Sequence, residues 1–467
     1  MKNMSDKPDN SQIIKSYTIL VSLMLIAAGL FGAAYTGEGW GVFPDLLKYM
    51  LSPSKSSTDY FGYGSLGAAY LNAGLCGLGV MIPVILMKAE AGASIMTAYF
   101  LIIAHCFYGK NLLNIWPCIL GTYLCLKLRG LDVKKQLHVC SFSSCFAPLI
   151  SELLFRYTLD EFSPDTPQIS FKAILLALLC SMVVGFVFPL LLKIMGVLSQ
   201  GYNLYNAGLA GGVLGTFIYV VLYMIPGREL HPAMEVSNDV YMDAGNSFII
   251  YANVVFVSIF VTSLLLGRKF NGGSLRGYDN LLRSREGVHA ERWGMPHCLI
   301  NIGVYGLFIL VIYDIIIISG ATAFKGAASG LAGFTGPTTG AIFAAMSFAC
   351  TAQSPLNTWP IICGYVIYST ASLIFGGGWT MAAQPYLSSM AFATGLCPVV
   401  QRRGRIWGIV AGLFAAAMCS FPIKLHGGLM IYNGGFNAGI VGLFMALLFS
   451  FLDRKTREED IESKAQQ

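Results

Sequence analysis

Apolar residues run along this chain in long blocks divided by short polar connections. In the first part the blocks fall at about 14–34, 61–87, 91–108, 112–127, 136–155, 171–194 and 199–224. A second set follows at about 246–267, 297–319, 328–350, 355–375, 381–400, 405–423 and 427–452. Many of these windows hold roughly 18 or more residues without a charge, enough for a helix to cross a bilayer. The pattern predicts an all-α polytopic membrane protein. The first block, from Tyr17 to Tyr35, has no convincing small-residue cleavage site after it, so it reads as a retained helix and not a signal peptide.

Composition agrees: 55% of the 467 residues are hydrophobic, only 12% are charged, and mean hydropathy is +0.64. A soluble domain carries about 25% charged residues. The net charge of +6 gathers in a few connections, so it reports topology and gives no reason to expect nucleic-acid binding. Basic connections are Lys127 to Lys135, Arg268 to Arg292 and Arg402 to Arg405, with Lys15 before the first block; acidic ones are Asp160 to Asp165 and Glu229 to Asp243. If every block crosses, the basic connections share one side and the acidic ones the other. Positive charge marks the cytoplasmic side. The expectation is a multi-pass protein of the cytoplasmic (bacterial inner) membrane with both termini inside. Its parts would be a tail at 1–13, a first membrane repeat at 14–224, an outer loop at 225–245, a second repeat at 246–452 and a tail at 453–467.

The two sets of blocks are related. Asn114-Ile-Trp116-Pro117 matches Asn357-Thr-Trp359-Pro360, an offset of 243. Asn-x-Gly-x-x-Gly occurs at Asn72, Asn206, Asn301 and Asn437, pairing Asn72 with Asn301 and Asn206 with Asn437 in the same order around those motifs. Pro148 and Pro398 form a weaker pair. An ordered recurrence of this kind implies an internal duplication. Seven segments per half is an odd number, so the second half enters from the opposite side and the repeats are inverted, an arrangement common in transporters. The block at 112–127 is short, and the glycine run Gly376 to Gly378 precedes another; some segments are therefore expected to be re-entrant half-helices.

The Asn-x-Gly-x-x-Gly copies have two readings. Small residues let helices approach while Asn bonds across the contact, or paired amides face a shared pathway where a polar solute satisfies them. In Asn-x-Trp-Pro, proline at Pro117 and Pro360 interrupts a helix and leaves carbonyls beside Asn and Trp; alternatively Asn114 and Asn357 cap helix starts. Taken together, Asn72, Asn206, Asn301, Asn437, Asn114, Trp116, Asn357 and Trp359 are the substrate-pathway candidates. Ionisable residues inside the blocks are His105, Lys110, His138, Glu152, His297 and Asp314, functional candidates by default. Of these, Glu152, His105 and Asp314 could couple transport to an ion. No acidic pair repeats between the halves, which favours a passive pathway. The twelve cysteines lie within or beside apolar blocks with no metal-ligand spacing, as packing residues do. No catalytic, metal or cofactor motif appears, so neither enzyme activity nor a cofactor is expected.

At TDYFGYGSLGAAYLNAGLCGL (58–78) and GKNLLNIWPCILGTYL (109–124) the chain resembles a bacterial membrane-protein family catalogued as domain of unknown function 1576, over about residues 14 to 452. Gly201-Tyr-Asn203-Leu-Tyr-Asn206-Ala-Gly208 and Gly434-Gly-Phe-Asn437-Ala-Gly439-Ile-Val-Gly442 look like the glycine–aromatic–asparagine segments of urea transporters. That likeness implies two inverted halves, re-entrant pore helices and uncoupled passage of a small solute, although the paired phenylalanines of those proteins have no secure counterpart here. The preferred expectation is a transporter or channel-like facilitator for a small neutral or zwitterionic solute, urea-like or an amide. The alternatives are a proton- or sodium-coupled carrier built as seven plus seven helices, and a non-transporting scaffold or receptor. The lipid bilayer is the surrounding partner, and the apolar faces leave room for a homo-oligomer.

Overall fold

The computed structural model describes residues 9–56, 58–159, 162–163, 166–232, 234, 247–285, 287–323, 334–377 and 380–465. Most of both acidic connections and of the N-terminal tail lie outside these residues. Each apolar block holds a helix. In the first half these are α1 (Asn10–Tyr35), α2 (Leu66–Leu86), α3 (Ala93–His105), α4 (Trp116–Leu128), the pair α5 (Leu137–Ser143) and α6 (Ala147–Phe155), α7 (Phe171–Leu198) and α8 (Asn206–Tyr219). In the second they are α9 (Ser247–Phe270), α10 (Met295–Ala323), α11 (Gly336–Met346), α12 (Pro355–Ile374), the pair α13 (Gln384–Ala393) and α14 (Cys397–Arg403), α15 (Arg405–Met418) and α16 (Asn433–Ala465). Among the described residues the only extended pairing is a single bridge between Asp59 and Tyr108. Side-chain caps set several starts: Ser65 accepts from Ala68 N at 3.2 Å ahead of α2, and Ser170 from Ala173 N at 3.1 Å ahead of α7.

Among the described residues, eight helical stretches are long and apolar enough to cross a membrane, while α3, α4 and α15 are apolar but shorter. Large hydrophobics such as Phe171, Leu178, Ile315 and Phe451 remain exposed on the outer faces of these helices. With no water-soluble exterior to cover, such faces fit hydrocarbon. The chain is a multi-pass helical membrane protein.

Helix pairs recur contact for contact. An added Cβ on Gly29 of α1 would lie 2.6 Å from Leu71 N and 2.8 Å from Gly67 O of α2; on Gly267 of α9 it would lie 2.6 Å from Ile300 N and 2.7 Å from Pro296 O of α10. Likewise, Gly74 of α2 faces Ser22 O and Ile26 N, and Gly303 of α10 faces Phe260 O and Leu264 N. At Gly74 and Gly303 the motif thus allows backbone-to-backbone approach, where packing and close dipoles hold helices together without a hydrophobic driving force. Gly121 of α4 against the Ser181 carbonyl, and Gly364 of α12 against the Ile409 carbonyl, repeat the device. The pairs α5/α6 and α13/α14 are each interrupted by one 3-10 turn, Ser144–Phe146 and Thr394–Leu396, with Pro148 and Pro398 in the first turn that follows. Proline is tolerated there because the first-turn N–H has no intrahelical acceptor.

Contacts also link the two sets. The Thr97 hydroxyl of α3 donates to Ser347 O beyond α11 at 2.8 Å, and Gly340 of α11 packs on the Ala104 carbonyl. Gly208 of α8 packs on Gly435 of α16, and Tyr17 of α1 bonds Ser263 of α9 at 2.7 Å.

Two predictions come from this packing. Gly74→Val and Gly303→Val should each lower the melting temperature of the detergent-solubilised protein, with a cost of about 1–3 kcal/mol or more for overpacking; an unchanged melt would mean the helix pairs can part freely. The second concerns the buried histidines in two connections, His289 and His426, which burial pushes down to about 4. An unfolded histidine titrates near 6.5, so between about pH 6.5 and 4 the unfolded chain takes up protons that the native state refuses. Thermal stability should therefore fall on acidification through that window, and His289→Gln/His426→Leu should flatten the fall.

Candidate functional site

Two short helices organise the middle of the molecule. After α3 the chain leaves helical geometry through residues 106–115, and after α11 through 347–354. Unwound backbone in apolar surroundings leaves carbonyls that need donors. Asn72 supplies them: its Nδ2 donates to Cys106 O at 2.7 Å and Lys110 O at 2.9 Å. Asn301 does the same for Ala349 O at 2.9 Å and Gln353 O at 2.7 Å. The acceptors stand at the offset of 243 already seen in Asn-x-Trp-Pro. Both asparagines are wholly buried, and their amides are occupied by backbone. They brace the interruptions and border neither of the two cavities described below.

The Asn-x-Trp-Pro motifs close the same interruptions. Asn114 Oδ1 accepts from Asn111 N at 2.8 Å, and its Nδ2 donates to Gly109 O at 2.8 Å. Asn357 Oδ1 accepts from Ser354 N at 2.9 Å, and its Nδ2 donates to Ala352 O at 2.7 Å. Neither asparagine is itself a helix cap: Asn357, at the third position of α12, closes a capping box with the N-cap Ser354, whereas Asn114 bonds within the turn before α4, whose N-cap Ile115 has no side-chain cap bond. Pro117 sits in the first turn of α4, where no bond is lost, whereas Pro360 lies inside α12. Trp116 borders an apolar crevice with Val80, Pro83 and Tyr123, and Trp359 lies under the Arg405 guanidinium at 5.7 Å. Neither indole reaches the cavities described next.

Asn206 and Asn437 differ from one another. Asn206, at the start of α8, accepts from Ser199 Oγ at 2.9 Å and is half-buried. Asn437 is buried within α16; its Nδ2 donates to Ala415 O at 2.8 Å and to Ser389 Oγ at 3.2 Å. Ser389 borders a cavity of about 260 Å³, together with Tyr108, Pro337, Gln384, Pro385, Ser388, Phe392, Asn433 and Gly434. No charged side chain borders it, and the Ser388 hydroxyl is buried without a partner.

A second, larger space of about 480 Å³ is bordered by Ser94, Lys134, Lys135, His138 and Thr351, with Lys88, Glu90, Asp132 and Glu291 adding charge. The two linings correspond. The offset of 250 between Pro148 and Pro398 carries Lys134, Lys135 and His138 onto Gln384, Pro385 and Ser388. The offset of 243 carries Ser94 onto Pro337 and Tyr108 onto Thr351. The first cavity adjoins the N-terminal end of α11 and the second the N-terminal end of α3. A chain of ring contacts starts at the first cavity: Tyr205 is 5.7 Å from Phe392, which borders it, and 4.6 Å from Phe348, three residues before Thr351 of the second.

The coupling candidates sit elsewhere. Glu152 is wholly buried; its Oε1 accepts from Tyr223 OH at 3.0 Å and meets His231 Nδ1 at 2.9 Å. Asp314 accepts from Asn253 Nδ2 at 2.9 Å between α9 and α10. Neither borders either space. His105 comes nearest, its ring 5.2 Å from Tyr108 and 5.5 Å from Phe392, with Nδ1 donating to Leu101 O at 2.7 Å. Ser388, Phe392 and Tyr205 were missed in the sequence because each is an ordinary residue of an apolar block. Only the Pro148–Pro398 offset, applied to the basic connection, could have pointed to Ser388.

An interrupted all-α membrane bundle with paired cavities is thus the class that fold and site define. A family model described as "Protein of unknown function (DUF1576)" matches residues 40–224 and 270–451, and the chain belongs to that family. No curated protein and no solved structure matches the chain, so the likeness to urea transporters gains no support from relatives.

The bracing asparagines give a test. Asn72→Leu and Asn301→Leu each strand two buried carbonyls, at about 1–3 kcal/mol per group. Both variants should melt well below wild type; a melt within a degree or two of it would mean that water or another donor replaces the amide.

Proposed function

We propose that the protein is a transporter or channel-like facilitator of a small polar solute, neutral or zwitterionic, and that its two halves are inverted repeats. The observation that carries this reading is the pair of corresponding cavities, each at the N-terminal end of one interrupted helix. With 13 and 11 residues, α3 and α11 span roughly 20 Å and 16 Å, short of the ~30 Å hydrocarbon core. Two such helices entering from opposite faces and packing midway would place one cavity toward each side. The charged cavity shares its side with the basic connections, which favours the cytoplasm for it by the positive-inside rule. A solute would pass between the cavities where Phe392, Tyr205 and Phe348 now meet.

Passive passage is favoured over ion coupling because Glu152 and Asp314 stand away from both cavities. Scaffold and receptor roles account less well for corresponding cavities.

Solute flux into proteoliposomes tests the reading with urea, small amides and amino acids, with and without an imposed proton gradient. Wild type should admit at least one without the gradient. Phe392→Ala should speed entry several-fold, and Ser388→Trp should abolish it while leaving the melting temperature near wild type. Entry that requires the gradient would transfer the assignment to a coupled carrier. If no solute enters through wild type or Phe392→Ala, the transport reading is lost.

A further inference from the structure

Resting on that reading, we infer that the solute bound in the 260 Å³ cavity carries a carboxylate, which selects the zwitterionic class over neutral amides. The argument begins with a cation outside the cavity. Lys110 is wholly buried in the interruption after α3; its Nζ donates to Tyr432 OH at 3.0 Å and lies 4.5 Å from that ring's centre. Among the described residues no carboxylate forms an ion pair with it. An ammonium has three donors, and burying it without a counter-charge is costly. Its counterpart at the offset of 243 is Gln353, so the duplicated frame is built equally well around a neutral side chain. The charge is a departure from the repeat.

This cation lies close to the cavity wall: Ile431 and Asn433, the sequence neighbours of Tyr432, both border the cavity, and the His105 ring packs on Tyr432 at 4.8 Å and on the bordering Tyr108 at 5.2 Å. Helix starts also face the wall. Gln384 opens α13, and Gly434 and Gly435 lie in the first turn of α16, positions where backbone N–H groups lack intrahelical acceptors. Two helix starts thus bring positive dipole ends to one cavity. A Cβ on Gly434 would meet the Phe392 ring, so only glycine lets this backbone come so close. The third helix start at the cavity, that of α11, has already taken a carboxylate: Asp59 Oδ1, buried, accepts from Gly336 N at 2.9 Å. No acidic residue borders the cavity to oppose an incoming anion. Two helix starts without an acid, an unpaired ammonium near them and the unpartnered Ser388 hydroxyl leave room for one more carboxylate.

The test uses the purified full chain and thermal-shift or calorimetric titration with four probes: alanine, propionate, propionamide and urea. Alanine and propionate should stabilise wild type, and propionamide and urea should not. Lys110→Gln, which copies the residue of the other half, should weaken carboxylate binding at least tenfold while leaving the unliganded melting temperature equal or higher. A purely structural lysine would instead lower that temperature. Lys110→Arg should keep binding. If Lys110→Gln does not fold, the four-probe series on wild type still decides. Stabilisation by propionamide or urea equal to that by propionate, or by none of the four at millimolar concentration, overturns the inference. Amide flux without carboxylate binding would leave transport standing and sink only the carboxylate. Alanine binding without flux of any solute would keep this site and sink transport.

Discussion

Everything in this molecule depends on pairing backbone groups where helices stop inside apolar surroundings. Residues 106–115 and 347–354 expose carbonyls where neighbouring hydrocarbon or side chains supply few donors. Asn72 and Asn301 meet that demand with two bonds each, from helices that sit against their partners only because glycine lets the backbones touch. Within the interruptions Asn114 and Asn357 each bond the backbone of the turn that leads into α4 and α12. Remove the amides and the short helices α3 and α11 have no stable end.

Once the interruptions are fixed, the cavities follow. Each lies at the beginning of a short helix, and five corresponding sequence positions contribute to both walls. The difference between them is chemical. Lysines and a histidine at 134, 135 and 138 become glutamine, proline and serine at 384, 385 and 388, so one space is charged and the other is lined by hydroxyls and rings. The frame is shared while the linings diverge, and Lys110 near one wall sharpens the contrast further.

Sequence reading and structure part company over the motifs. The repeated Asn, Trp and Pro residues were conspicuous because they recur, and recurrence marks what the frame requires. Asn72, Asn114, Asn301 and Asn357 accordingly spend their amides on backbone, and Trp116 and Trp359 lie at the periphery. Ser388 borders the cavity where His138 stands in the other half, so its position recurs but its identity does not, and pattern matching passed over it; Phe392 and Tyr205 are ordinary aromatics of apolar blocks. The equivalence of α1 with α9 was hidden for a related reason: only Gly29 and Gly267 must match for those helices to dock alike.

By itself, the sequence determined that the chain is helical, enters apolar surroundings many times and repeats an ordered set of motifs. These follow from residue type and spacing, since charge-free blocks and a recurring Asn-x-Gly-x-x-Gly need no partner to be recognised. Tertiary structure alone decided which carbonyls the asparagines hold, which helices stop short, and that Glu152 and Asp314 stand away from the cavities. It also decided that an unpaired Lys110 lies near a wall of helix starts. Those facts depend on segments hundreds of residues apart meeting in space, and no local pattern encodes which of them will touch.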